Sequence, residues 1–164
     1  MPQHTRASLK TATTTLLDAF SSGSSILTLQ STFTTTPPPT IHEHGLKELA
    51  PFLGRPFTGQ NELKSYFEIL NEHLGIEDAS FDDENEWAVD TENMVVCLRG
   101  RARFVSKRTG EGWDEVFAYR VEVADETGEG VEGRGKLKVR KYEVWADTGA
   151  AYLAMRGKLK GLTG

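Results

Sequence analysis

The sequence contains a single cysteine, Cys97, in 164 residues. No internal disulfide can close and no four-thiolate zinc site can be assembled. That economy fits a reducing compartment, so a cytoplasmic location is the expectation. Long apolar runs are also missing, because no stretch approaches the roughly 18 residues that a membrane span needs, and no membrane partner is expected. Met1 to Thr15 has no apolar core of the kind a secretory signal carries; its acid-free, Ser/Thr-rich composition is shared with transit peptides but reads better as the start of a helix. Basic residues are outnumbered, 19 Lys and Arg against 24 Asp and Glu, for a formal charge of −5. This is the wrong sign for a protein that grips phosphate backbones, so nucleic acid is excluded as an expected partner.

What remains supports a folded chain. Hydrophobic residues make up 38% and charged residues 26%, enough apolar material to form a core. The length suits one domain over residues 1–164, with an ordered core from about residue 8 to about residue 157.

The first half has helical periodicity. Leu9, Ala12, Thr13, Leu16, Leu17 and Phe20 line one face of a helix that Ser21-Ser22-Gly23 stops. Ile26, Leu29, Gln30 and Phe33 repeat the spacing after Ser24-Ser25, and the prolines at 37–39 end that short helix. Ile41 to Gly45 reads as extended, Leu46 to Ala50 as a turn of helix cut off by Pro51, and Gly54 to Gly59 as a loop. Leu63, Tyr66, Phe67, Leu70 and Leu74 then form a third amphipathic stripe, closed by Gly75.

From Gly75 the period changes to two. Trp87 with Val89, the run Met94 to Val105, the series Trp113, Glu115, Phe117, Tyr119, Val121 and Val123, and Leu137 to Ala146 all alternate as strands do. Glycine-rich turns at 109–112 and 127–135 separate them at hairpin spacing, which predicts an antiparallel sheet. Asp147 or Thr148 caps a short last helix, Gly149 to Arg156. Helices followed by hairpin-linked strands describe an α+β domain: a strongly bent, cone-shaped antiparallel sheet covered by three helices from the N-terminal half. Such a cone has room for one small molecule.

Two glycine patterns carry no nucleotide chemistry. Residues 128–133 match G-x-G-x-x-G and residues 130–136 match G-x-x-x-x-G-K, but Leu137 stands where a Ser or Thr is required, and the stretch joins two strands instead of opening a helix. It reads as a mobile hairpin loop. His42-Glu43-His44, with Glu48 and Gly54, partly matches the first cupin motif; the leading glycine falls at Thr36, the second motif is missing, and cupins are all-β. No metal and no cofactor are therefore expected. The two imidazoles of an extended segment point to one side, and a neutral histidine near the cone lining is suited to move a proton near pH 7, so His42 and His44 are candidate acid–base groups.

Glu115 and Glu143 are the carboxylates of interest. Glu115 shares a strand register with Trp113, Phe117 and Tyr119, and Glu143 shares one with Trp145. A carboxylate among rings is either desolvated into the range of a useful base or paired with a cation, for which Arg99, Arg101 and Arg103 are available. The acid-rich span Glu77 to Glu92 and the basic cluster Arg134 to Lys141 could act as complementary surfaces or as charged strand edges.

The order of elements resembles the SnoaL-like branch of the nuclear-transport-factor-2-like superfamily. The likeness runs over nearly the whole chain: two N-terminal helices, the strand at Ile41 to Gly45, the phrase Gly54-Arg55-Pro56-Phe57-Thr58-Gly59 leading into the Tyr66-Phe67 helix, and long strands ending in Tyr142-Glu143-Val144-Trp145-Ala146-Asp147. It implies a cystatin-like cone, commonly dimerised through its sheet, and cofactor-free proton transfer on a small, hydrophobic, carbonyl-bearing metabolite by an isomerase, cyclase or dehydratase. A non-catalytic module that binds such a ligand, or a dimeric scaffold, is the alternative. The interior aspartate and the Tyr–Asp pair of some members have no match here. The expected site therefore rests on this chain's own residues: His44, Glu115 and His42 as acid–base groups, and Tyr66, Trp113, Phe117, Tyr119, Arg103, Glu143 and Trp145 as ligand contacts.

Overall fold

The computed structural model describes residues 4–127 and 136–163. The glycine-rich 128–135 stretch, with both nucleotide-like patterns, lies outside the described residues. Helix α1 (Arg6–Ser21) begins at a reciprocal cap: the Thr5 hydroxyl accepts the Ser8 amide and the Ser8 hydroxyl accepts the Thr5 amide. Its buried face carries Leu9, Ala12, Thr13, Leu16 and Leu17. Helix α2 (Ile26–Ser31) is capped by Ser25, and α3 (Gln60–His73) buries Leu63, Tyr66 and Phe67. At the far end Asp147 caps α4 (Thr148–Met155), and a further short helix, α5 (Leu159–Thr163), follows it.

The strands are β1 (Thr40–His44), β2 (Pro56–Thr58), β3 (Leu74–Phe81), β4 (Ala88–Asp90), β5 (Val95–Ser106), β6 (Gly112–Asp125) and β7 (Leu137–Trp145). They form one curved, unclosed sheet in the order β2-β1-β7-β6-β5-β3, with β4 also paired to β5. Register shifts interrupt β3 between Glu77 and Ser80 and the β6–β7 ladder opposite Glu122 and Val123, where Arg140 of β7 is the extra residue; an extra residue on one strand of a pair bends it. Leu9, Leu16, Phe33, Ile41, Phe57, Leu63, Val96, Val121 and Val139 share one buried cluster between the helices and the inner face of the sheet. No helix among the described residues is long and apolar enough to cross a membrane.

Three details depart from the sequence reading. The ladder between β1 and β7 is parallel, because alternation fixes which face a residue occupies but not the direction of a strand far away in the chain. Residues 56–58 form an edge strand, held by Thr40 opposite Thr58 and Ile41 opposite Phe57. The Leu46–Ala50 segment is irregular: it makes turns, not a helix.

Gly100 shows how tightly the inner face is packed. A Cβ there would meet Phe117 Cε2 at 2.2 Å and Phe81 Cδ1 at 2.9 Å. Gly100→Ala therefore forces two rings of the inner wall to move and should cost about 1–3 kcal/mol. Urea unfolding measures it, and an unchanged midpoint would contradict this packing.

Candidate functional site

The inner face of the sheet and the helices enclose a cavity of about 400 Å³. Alternation along β6 turns Trp113, Glu115, Phe117 and Tyr119 toward it; β7 contributes Tyr142 and Val144, α1 Phe20, and α3 Tyr66 and Phe67. The aromatics pack against each other: Phe117 and Tyr119 at 4.9 Å between centroids, Tyr119 and Tyr142 at 4.8 Å, Phe104 and Trp113 at 5.7 Å.

The polar centre of this wall is Glu43. It sits between His42 and His44 on β1, and the two-residue repeat sends it inward with Ile41 while both histidines face outward. Glu43 is 8% exposed, and the Tyr66 hydroxyl donates to its Oε2 at 2.8 Å. Burial raises its pKa to about 7; the Tyr66 hydrogen bond works against that rise, and the nearby Glu115 carboxylate adds to it. Burial, and then the Glu43 charge, pushes the Tyr66 phenol well above its ordinary value, so it stays a donor. Tyr119 and Tyr142 are raised too, with burial the first cause in each.

Glu115 is the second carboxylate of the cavity. Burial raises its pKa, while the Asp147 amide, donating to Oε2 at 2.6 Å, favours its charged form. Asp147 thus caps α4 with its side chain and holds Glu115 with its backbone. The Trp113 indole Nε1 is buried and makes no well-formed hydrogen bond among the described residues, though it lies near enough to Glu115 to favour that carboxylate's charged form.

The structure divides the expected site. Tyr66, Trp113, Glu115, Phe117 and Tyr119 line the cavity together. His42, His44, Arg103, Glu143 and Trp145 do not. His42 stacks on His44 at 4.0 Å and His44 on Trp145 at 4.5 Å, across the outer side of the parallel ladder that sets His42 beside Glu143 and His44 beside Trp145. His44 Nε2 lies 3.1 Å from Glu143 Oε1, and Arg120 donates to Glu143 Oε2 at 3.2 Å. Burial opposes the Glu143 charge, but the His44 contact, Lys141 and Arg120 outweigh it and hold the carboxyl below its ordinary range. Burial, then the neighbouring His44, lowers the pKa of His42. Arg103 pairs with Asp114 at 3.5 Å, and Arg99 and Arg101 both grip Asp82. Among the described residues no group of three or more His, Cys, Asp or Glu side chains is placed to hold a metal ion.

Glu43 is the residue that sequence reasoning missed. The signal was the same alternation that pairs His42 with His44: if both point one way, the residue between them points the other. Its partner Tyr66 sits on a different element, so no local motif joins them.

No family model matches the chain, and no curated protein matches it in sequence. Solved structures do. An NTF2-like protein from Burkholderia thailandensis covers 90% of this chain and 96% of its own, at 16% identity and a TM-score of 0.64. The chain has the nuclear-transport-factor-2-like fold. Two further NTF2-like-fold neighbours are the BvnE pinacolase from Penicillium brevicompactum (98% and 99% covered, 12% identity, TM-score 0.63) and a ketosteroid isomerase-like protein from Erwinia carotovora atroseptica (86% and 95%, 16%, 0.61). At such identities the likeness concerns the NTF2-like architecture alone.

The raised pKa of Glu43 carries a stability signature. Unfolded, the carboxyl returns to its ordinary 4.5; folded, it holds its proton until about 7. The stabilisation is fully present below pH 4.5 and is lost as pH rises through 7, a swing of about 3 kcal/mol. Glu43→Gln should flatten this decline and be the more stable form at pH 8. Urea midpoints of both proteins at pH 5 and pH 8 measure the swing; parallel pH profiles would refute the burial of a titrating Glu43.

Proposed function

We propose that this protein is an enzyme that moves a proton on a small, hydrophobic, carbonyl-bearing molecule bound in the cavity, in the manner of an isomerase, cyclase or dehydratase, with Glu43 as the base. The observation that carries this reading is a buried carboxylate with a pKa of about 7 on a wall rich in aromatic rings; a base poised there can both take and return a proton near neutral pH. The Glu43 carboxylate removes a proton from the carbon next to the carbonyl. The C–H electron pair moves into the enolate, and protonated Glu43 returns the proton to another carbon, or gives it to a β-hydroxyl that the enolate expels as water. The protonated Tyr119 hydroxyl is the donor for the developing oxyanion, and the Trp113 N–H, which leans toward Glu115 without a well-formed hydrogen bond, is a second. Glu115, already accepting the Asp147 amide, is the less available base. The isomerase-like and pinacolase neighbours lend the reaction class general support.

Hydrogen–deuterium exchange at the α-carbon of 2-tetralone, followed by NMR in D₂O, tests the chemistry without knowledge of the natural substrate. The wild type should exchange faster at higher pH, with a limb near 7 as Glu43 ionises. Glu43→Gln should slow exchange by at least about 100-fold. Tyr66→Phe removes a bond that favours the carboxylate, and should move the limb to higher pH. His44→Asn, on the outer face, should leave exchange unchanged. Equal rates in wild type and Glu43→Gln would overturn the proposal.

The outer face suits self-association. Trp145 is 45% and Val116 57% exposed there, beside the mixed charges of Arg120, Lys141 and Glu143, so two copies related by a two-fold axis could pair opposite signs around an apolar centre. In sedimentation velocity the wild type should run as a dimer and Val116→Glu with Trp145→Ser as a monomer. A monomeric wild type would refute this assembly.

A further inference from the structure

A second pocket, of about 500 Å³, lies away from Glu43. Four segments build it: Lys47 to Pro51 from the connection between β1 and β2, His73 at the end of α3, Ser106 and Arg108 where β5 turns into β6, and Met155 and Arg156 at the end of α4. The segments are tied together. The Lys107 amide donates to His73 O at 2.9 Å, and the Thr109 hydroxyl donates to Ala154 O at 2.6 Å.

Two independent features point to a ligand. First, the Ser106 side chain is fully buried, and its hydroxyl has no hydrogen-bond partner among the described residues. A buried hydroxyl is normally paired, so an unpaired one lining a pocket marks a place for an incoming polar atom. Second, Lys47, Arg108 and Arg156 all face this pocket, and none takes part in an ion pair among the described residues. The Arg156 guanidinium is braced over the Tyr152 ring at 3.7 Å and donates to the Tyr152 carbonyl at 3.5 Å, contacts that bring it no negatively charged partner. Among the described residues the only acid on the pocket wall is Glu48.

Two helices end here, and free carbonyls would repel an anion, but the nearest are occupied. Lys107 Nζ donates to Asn71 O, the Lys107 amide to His73 O, the Lys158 amide to Leu153 O and the Thr109 hydroxyl to Ala154 O. Among the described residues on the wall, three cations, Lys47, Arg108 and Arg156, then stand against the single carboxylate of Glu48.

We propose that this pocket binds an oxyanion, a carboxylate or phosphate group, carried on a small apolar body. The anionic end meets Ser106, Arg108, Arg156 and Lys47, and the body rests on Leu49, Pro51 and Met155. The site is separate from the proton-transfer chemistry assigned to Glu43, and its test involves no turnover.

The full chain, labelled with ¹⁵N, is titrated with benzoate, inorganic phosphate and the uncharged benzamide. Benzoate or phosphate should give saturable shifts at the amides of 47–50, 106–109 and 155–156, while benzamide leaves them unmoved. Saturation by benzoate alone assigns a carboxylate ligand, and by phosphate alone a phosphorylated one. Arg108→Ala with Arg156→Ala should weaken binding at least tenfold, and the milder Ser106→Ala about threefold, each in a protein whose remaining amide spectrum is retained. No saturable shift with either anion, equal shifts with benzamide, or unchanged affinity in both variants would overturn the assignment.

Discussion

The candidate chemistry depends on the two-residue repeat of one short strand. β1 must bury Ile41 against the core, and in doing so it buries Glu43 as well. A carboxylate in such a place is expensive to ionise, and among the described residues the one hydrogen-bond donor to it is the Tyr66 hydroxyl and no cation pairs with it. The balance leaves a group that changes charge near neutral pH. Aromatic rings around it keep the cavity low in polarity, which is also what a hydrophobic ligand needs.

Glu43 and Glu143 make the point by contrast. They sit on paired neighbouring strands, one register position apart, and are equally buried by area at 8% exposed. Glu43 faces rings and rises to about 7; Glu143 faces His44, Arg120 and Lys141 and falls below its ordinary range. Burial is the leading influence on both, but it weighs far more on Glu43, whose carboxyl lies deep among rings, and on Glu143 the three partners together outweigh it. The side of the sheet on which a carboxylate falls thus determines whether it is a proton carrier or a fixed charge.

Much of this fold could be read from the chain. The stripes of α1 and α3, the Ser25 and Asp147 caps and the alternation of β5, β6 and β7 each follow from local spacing, and the register of Glu115 with Trp113, Phe117 and Tyr119 identified a wall of the cavity. What local spacing could not provide was relative placement. Whether the His42–His44 side or the Glu43 side of β1 faces the cavity depends on α3 lying over one of them, and the parallel pairing with β7 depends on residues near Phe33 meeting Val139. Histidine titrates near pH 7 unaided, so a sequence marks the imidazoles; Glu43 reaches that range only through burial, which is a property of the fold and not of the residue.

Two carboxylates in one cavity need not compete for one role. Glu115 accepts a backbone amide at 2.6 Å, a contact that strengthens with its negative charge, and that charge is among the influences that raise Glu43. The first to ionise makes the second harder to ionise, so the pair titrates in separated steps. Between those steps the cavity holds one negative charge and one proton; above the second step both carboxylates are charged and the later one to ionise is free to act as the base. The proton belongs on Glu43, because Glu115 has the amide to stabilise its charge and Glu43 has only a phenol.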